Sequence, residues 1–323
     1  MLIPSWIKNY KKTEFSGDLM AGIIVAVVLV PQSMAYGLLA GLPPQVALYS
    51  SVLPLILYAI FGSSRTLAVG PVGLMSLMTG ATLIELEINN VDAMISTSHT
   101  LALMVGIILL AMRLARLGAI INFLSHPVIS GFVSASAIII ALSQLKHIFG
   151  LDIPRGLPPY ETLYLFFSQL SNSNLYTSAL GLSSVIVLWW FKEPLVRLLK
   201  NLNSSPHVIQ FITKAGPLAV VSISTVIVYK FGLSSLHGVS IIGEIPPGLP
   251  TFLLPNIELD LIRSLAPNAF LIALIGYFES VSIAKSMASQ KRQKIDSNKE
   301  LVGIGAANIA SAISGGYPVA GGF

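Results

Sequence analysis

Residues 65–80 read RTLAVGPVGLMSLMTG, and this stretch decides the fold. It opens with β-favouring residues and then meets Gly70-Pro71 in the middle of an uncharged, apolar run. Proline suits the first turn of a helix, because its missing N–H would have no helical partner there. A helix from Val72 to Ile84 would be about 20 Å long at 1.5 Å per residue. A hydrocarbon layer is about 30 Å thick, so such a helix cannot cross it. The stretch therefore predicts an extended segment reaching mid-membrane, followed by a half-helix. Irregular backbone at that depth is tolerated only when it is buried in protein or lines a cavity. The open N–H groups at the start of a half-helix favour an anion. On this segment alone, an ordinary proline-kinked span remains the competing reading.

The surrounding chain supports a membrane setting. Hydrophobic residues make up 54% of the 323 residues and charged residues only 10%. Mean hydropathy is +0.79. Soluble domains carry about 25% charged residues. There are no cysteines, which excludes disulfides, thiolate metal sites and cysteine nucleophiles. The first residues, MLIPSWIKNYKKTEFSGDL, lack a cleavable signal pattern and read as a basic interfacial segment.

Uncharged stretches place the spans. Residues 19–64 hold no Asp, Glu, Lys or Arg and accommodate two spans, near 19–38 and 46–61, with GLPPQ between them. Further stretches are 66–84, 93–112, 117–145, 162–191, 215–229, 264–278 and 301–323. These predict nine spans and the start of a tenth. With the N-terminus in the cytoplasm, only Lys146, Arg155, Lys230 and Arg263 fall outside, and the other 15 of the 19 Lys and Arg fall inside. That asymmetry fits the positive-inside rule. It also explains the net charge of +5 without nucleic acid. The polar stretch 285–300 reads as a solvated cytoplasmic loop.

A second interrupted segment, SGGYPVAGGF, occupies 314–323. Paired broken segments in two halves of a chain point to a transporter site. The separation of Pro71 from Pro318 fits two repeats of about seven spans. Seven is odd, so the second repeat would be inverted.

Three side chains inside spans draw attention. Gln32 follows Pro31 and is four residues from Tyr36, so both lie on one helix face. They could offer an amide N–H and a phenol O–H to an anion; a packing kink with a backbone-bonded Gln is the alternative. Glu279 follows the apolar run ALIGYF and stands beside Ser280 and Ser282. An acid inside a span is a functional-site candidate by default. It could titrate, hold a coupling cation, or pair with Lys285 or Arg263. The five histidines show no metal-ligand spacing, and His126 before Pro127 reads as a cap or loop residue. There is no phosphate-binding loop, nucleophile elbow or hydrolytic carboxylate pair, which argues against an enzyme.

At FSGDLMAGIIVAVVLVPQSMAYGLLAGLPPQVALYSSVLPLILYAIFGSSRTLAVGPVGLMSLM (15–78) the chain resembles the SulP family of sulfate permeases and anion exchangers. LSHPVISGFVSASAIIIALSQLKHIFG (124–150) and FESVSIAKSMA (278–288) are similar to it as well. The resemblance implies an all-α polytopic membrane protein with a seven-plus-seven inverted-repeat fold, core and gate subdomains, and half-helices at spans 3 and 10. The first repeat would run over about 15–231 and the start of the second over about 262–323. Against that fold the chain reads as incomplete, lacking the later spans and the STAS domain. The resemblance also implies that Gln32, Tyr36, Val72, Gly73 and Phe323 line an anion site. Glu279 matches a position that couples sodium or protons, and no other cofactor is implied. The expected activity is secondary transport of an inorganic anion, sulfate first, with bicarbonate, chloride or dicarboxylate as alternatives. A non-transporting membrane scaffold is the reading from a different class. The expected partners are the anion and membrane lipid, not nucleic acid, and a homodimer fits the family. The expected location is the cell membrane, multi-pass.

Overall fold

The computed structural model describes residues 10–118, 126–202, 205, 209, 212–213, 215–243, 245, 248–250, 252, 254–290 and 293–322. In chain order the elements are α1 (Lys12–Ala40), α2 (Pro44–Tyr49), α3 (Leu53–Phe61), β1 (Ala68–Gly70) and α4 (Gly73–Glu85). They continue with α5 (Val91–Leu114), α6 (His126–Phe149), α7 (Pro159–Gln169), α8 (Leu175–Lys192) and α9 (Pro194–Asn201). The last are α10 (Gly216–Lys230), α11 (Leu233–His237), α12 (Leu259–Gln290), α13 (Ser297–Ile313) and β2 (Ala320–Gly322). Among the described residues, five helical stretches are long and apolar enough to cross a membrane: Glu14–Ala40, Pro44–Phe61, Val91–Leu114, Leu175–Asn201 and Leu259–Ser289. Ser134–Phe149 and Gly216–Lys230 are shorter apolar helices.

The element boundaries follow local chemistry. Pro43-Pro44 and Pro54 start α2 and α3, where a missing N–H costs nothing. Asn90, Asn174 and Asp296 cap α5, α8 and α13 by accepting from the amides of Ala93, Thr177 and both Asn298 and Lys299. The uncharged stretch 162–191, read from sequence as one span, is two helices. A 3₁₀ turn at Leu170–Asn172 and the Asn174 cap divide it into α7 and α8.

The chain divides into two compact units. One draws on Ser33–Ser136 and Ile245–Phe323, the other on Lys11–Gln32 and Ala137–Glu244. The first unit thus joins both interrupted segments. Its core is formed by Val69, Met75, Leu101, Leu109, Leu265, Ile272, Tyr277, Leu301 and Ile304, each at most 2% exposed. Small residues let its helices approach closely, as is usual without a hydrophobic drive between helices. A Cβ on Gly303 of α13 would lie 2.7 Å from the Cα of Gly62, and one on Gly106 of α5 would lie 2.8 Å from the carbonyl oxygen of Gly305. In the second unit, Leu151, Ile153 and Phe166 form a smaller cluster, with Phe149 and Phe166 edge to face.

The sequence reading of 65–84 as an extended segment followed by a short helix is borne out. A three-residue strand ends at Gly70 and a 13-residue helix begins at Gly73, with Val72 in extended conformation between them. The second interrupted segment forms a strand too, and the two pair antiparallel. Ala68 faces Gly322, Val69 faces Gly321 and Gly70 faces Ala320. This pairing satisfies backbone polar groups that would otherwise be stranded in an apolar interior.

Candidate functional site

The site is built around the start of α4. Its first intrahelical bond runs from the Ser76 amide to the Val72 carbonyl, at 3.0 Å. The amides of Gly73, Leu74 and Met75 therefore have no acceptor within the helix. The residues carrying them are buried, as is Val72. The Ser76 hydroxyl donates to the Val72 carbonyl at 2.9 Å. Its proton being used there, it accepts from the Tyr317 hydroxyl at 2.7 Å. The turn that opens the half-helix is thus tied directly to the second broken segment. Tyr36 lies on α1, four residues on from Gln32. It is half-buried, and so is Gln32. Helix α1 passes from one unit to the other between Gln32 and Ser33, so the first unit holds Tyr36, Val72 and Gly73 and the second holds Gln32. Phe323 lies outside the described residues.

The second broken segment is held by buried side chains, of which sequence reading named only Ser280, as a neighbour of Glu279. Ser50 accepts from the Tyr317 amide at 3.0 Å, and Ser311 donates to the Tyr317 carbonyl at 2.6 Å. Asn308 engages both backbone groups of Val319: its Nδ2 donates to the carbonyl at 2.9 Å and its Oδ1 accepts from the amide at 3.0 Å. A side-chain amide here takes the place of a neighbouring strand. Ser280 accepts from the Gly321 amide at 2.7 Å. Gly316 leaves room for this arrangement, since a Cβ there would run into the hydroxyls of Ser50 and Ser311.

Glu279 sits on α12, one residue from that brace. Its Oε2 is closed off from solvent and has no hydrogen-bond partner. The sequence suggested Ser280 as a hydroxyl available to it. The structure corrects this, because Ser280 donates to the Gly276 carbonyl at 2.6 Å and accepts from Gly321. The ion pairs among the described residues are Glu193–Arg197 and Asp260–Arg263, and neither includes Glu279.

Glu300 corrects a second expectation. It falls at the end of the stretch read as a solvated loop, yet it is 0% exposed. Its carboxylate accepts from the Tyr58 hydroxyl at 2.7 Å, the Ser63 amide at 2.8 Å, the Ser63 hydroxyl at 2.7 Å and the Ser64 amide at 3.2 Å. Ser63 and Ser64 lie between α3 and β1, so Glu300 fixes the segment that leads into the first strand. The signal was available only in part. The Ser63-Ser64 pair offers donors, but nothing local in the sequence directs Glu300 to them.

The sequence profile of the sulfate permease family matches residues 15–323. The chain belongs to that family. It is 41% identical over 319 residues to "Sulfate transporter 4.1, chloroplastic" of Arabidopsis thaliana, covering 98% of this chain and 45% of that one. It superposes on the murine Solute Carrier 26 family member A9 anion transporter in its inward-facing state with a TM-score of 0.88 and 26% identity, covering all of this chain and 54% of that one. The transmembrane domain of the cyanobacterial bicarbonate transporter BicA gives a TM-score of 0.79 at 27% identity, with 96% and 75% covered. The chain spans about half the length of the curated relatives it matches. Members of this family are integral membrane proteins with several spans, and the apolar helices described above agree with that.

Proposed function

We propose that this protein carries an inorganic anion, sulfate first, across the cell membrane by secondary transport. The observation that carries the reading is the start of α4: buried amides of Gly73, Leu74 and Met75 without intrahelical acceptors, in an apolar interior. A carboxylate, sulfate or bicarbonate would take up those donors and interact favourably with the helix dipole. Tyr36, Val72 and Gly73 belong to the proposed lining, and the family resemblance adds Gln32 and Phe323 to that set. The relatives named as sulfate, bicarbonate and anion transporters support the substrate class.

Glu279 is the proposed coupling residue. A carboxylate oxygen closed to solvent and without a donor is an open ligand position for sodium or a proton. A cation there would offset the charge of an arriving anion, linking the two binding events. Exchange against a second anion is the form of transport expected if Glu279 binds neither. The chain is oriented with its N-terminus in the cytoplasm, its first repeat spans about 15–231, and the second starts near 262. The protein would act as a homodimer.

The test is uptake of radiolabelled sulfate into proteoliposomes of the protein that carries these 323 residues, with chloride and sodium varied. Saturable uptake that bicarbonate or chloride inhibits supports the proposal. Uptake no faster than into protein-free liposomes would reject it.

A further inference from the structure

Helix α8 ends in Trp189-Trp190-Phe191-Lys192, and Pro194 then opens the eight-residue α9, PLVRLLKN. The two tryptophans are 60% and 43% exposed. Tryptophan at the end of an apolar span marks the membrane–water boundary, and a lysine next to it extends its charge into the headgroup layer. Immediately past that boundary, α9 separates its residues sharply by face. Leu195, Leu198, Leu199 and Leu202 follow the spacing i, i+3, i+4, i+7. Glu193, Arg197 and Lys200 fall on the opposite side. Leu195 is buried within its unit, whereas Leu198 and Leu202 remain 50% and 67% exposed. The side chains of Arg197 and Glu193 are 79% and 56% exposed and pair loosely at 3.4 Å.

We infer that α9 lies in the membrane interface and that Lys192, Arg197 and Lys200 bind the headgroups of anionic phospholipids. The open leucines suit acyl chains, and the occupant is set by charge. Three cations against the single Glu193 leave a net positive patch at the level of the phosphates. Basic residues held at a membrane surface draw anionic lipid to them, while a zwitterionic headgroup offers them no net charge. This placement depends only on α8 being a span and is independent of the anion site.

The two tryptophans are native reporters. The protein contains one more, Trp6, which Trp6→Phe removes from the signal. This variant is reconstituted in phosphatidylcholine vesicles containing equal mole fractions of either dibrominated phosphatidylglycerol or dibrominated phosphatidylcholine, brominated at the same carbons. Quenching of Trp189 and Trp190 should be about twofold stronger with the anionic lipid. The excess should vanish at about 1 M salt, where charges are screened within about 3 Å. It should also vanish in the additional variant Lys192→Gln, Arg197→Gln, Lys200→Gln. Soluble inorganic phosphate at millimolar concentration should leave it unchanged. Equal quenching by both lipids in the reporter protein would overturn the inference, as would an excess that survives high salt or charge removal. Should the triple variant fail to fold, the salt arm decides.

Discussion

Removing the Glu300 carboxylate is the most informative single change in the first unit. Glu300→Ala leaves the Tyr58 hydroxyl, the Ser63 hydroxyl and the amides of Ser63 and Ser64 facing a void that was 0% exposed. Each buried donor left without an acceptor costs about 1–3 kcal/mol, so losing all four bonds should cost at least about 3 kcal/mol. Glu300→Gln keeps an oxygen for Ser63 and Ser64 and can still meet Tyr58 through its amide, so it should cost only about 1 kcal/mol. Tyr58→Phe removes one of the four bonds, and a bond to a charged group is worth roughly 1.5–3 kcal/mol. The combination of Tyr58→Phe with Glu300→Ala should lose clearly less than the sum of the two, since both delete the same 2.7 Å contact. The assay is equilibrium unfolding of the purified protein in mixed micelles, followed by helical circular dichroism. The expected order of stability is wild type, then Glu300→Gln, then Tyr58→Phe, then Glu300→Ala. If Glu300→Ala unfolds within about 0.5 kcal/mol of wild type, as a bland surface change would, the buried brace is not there.

Asn308→Leu fits the volume but strands the Val319 amide and carbonyl, so sulfate affinity should fall together with protection of the Val69–Val319 region from hydrogen exchange. Unchanged protection of that region would show that Asn308 does not hold the second segment. Gln32→Ala should weaken sulfate binding by about 1.5–3 kcal/mol if its amide meets the anion, read by isothermal titration. An unchanged dissociation constant would leave Gln32 as a kink-packing residue. Glu279→Gln should abolish the response of sulfate uptake to a sodium or proton gradient while leaving exchange in place. Equal gradient dependence in variant and wild type would make Glu279 a structural residue.

Much of this architecture is legible in the sequence because it is written in breaks. Gly70-Pro71 inside an uncharged run announces a half-helix, and α4 begins three residues past Gly70. The matching break at 314–323 announces a second segment of the same kind. What the sequence does not show is that the two pair with each other. Strands of three residues separated by some 250 positions carry no periodic pattern, and the second segment is held by Ser50, Ser280, Asn308 and Ser311 from three other places in the chain. Glu300 was hidden for a related reason. A charged residue at the end of a polar stretch is normally solvated, and only the convergence of Tyr58, Ser63 and Ser64 makes burial affordable. The division of 162–191 into α7 and α8 was visible in Ser171-Asn172-Ser173-Asn174, a run of helix-capping residues that hydropathy alone passes over.

The claim at the centre of this account is that an oxyanion sits on the amides that open α4. Selenate is a sulfate isostere with an anomalous scatterer, and its position can be found directly in crystals of the protein grown with it. The account predicts an anomalous peak whose oxygens lie within hydrogen-bond distance of the Gly73 and Leu74 amides, about 2.7–3.2 Å, with the Tyr36 side chain alongside. A well-occupied selenate elsewhere in the membrane-embedded part of the protein, with nothing at the start of α4, would contradict it.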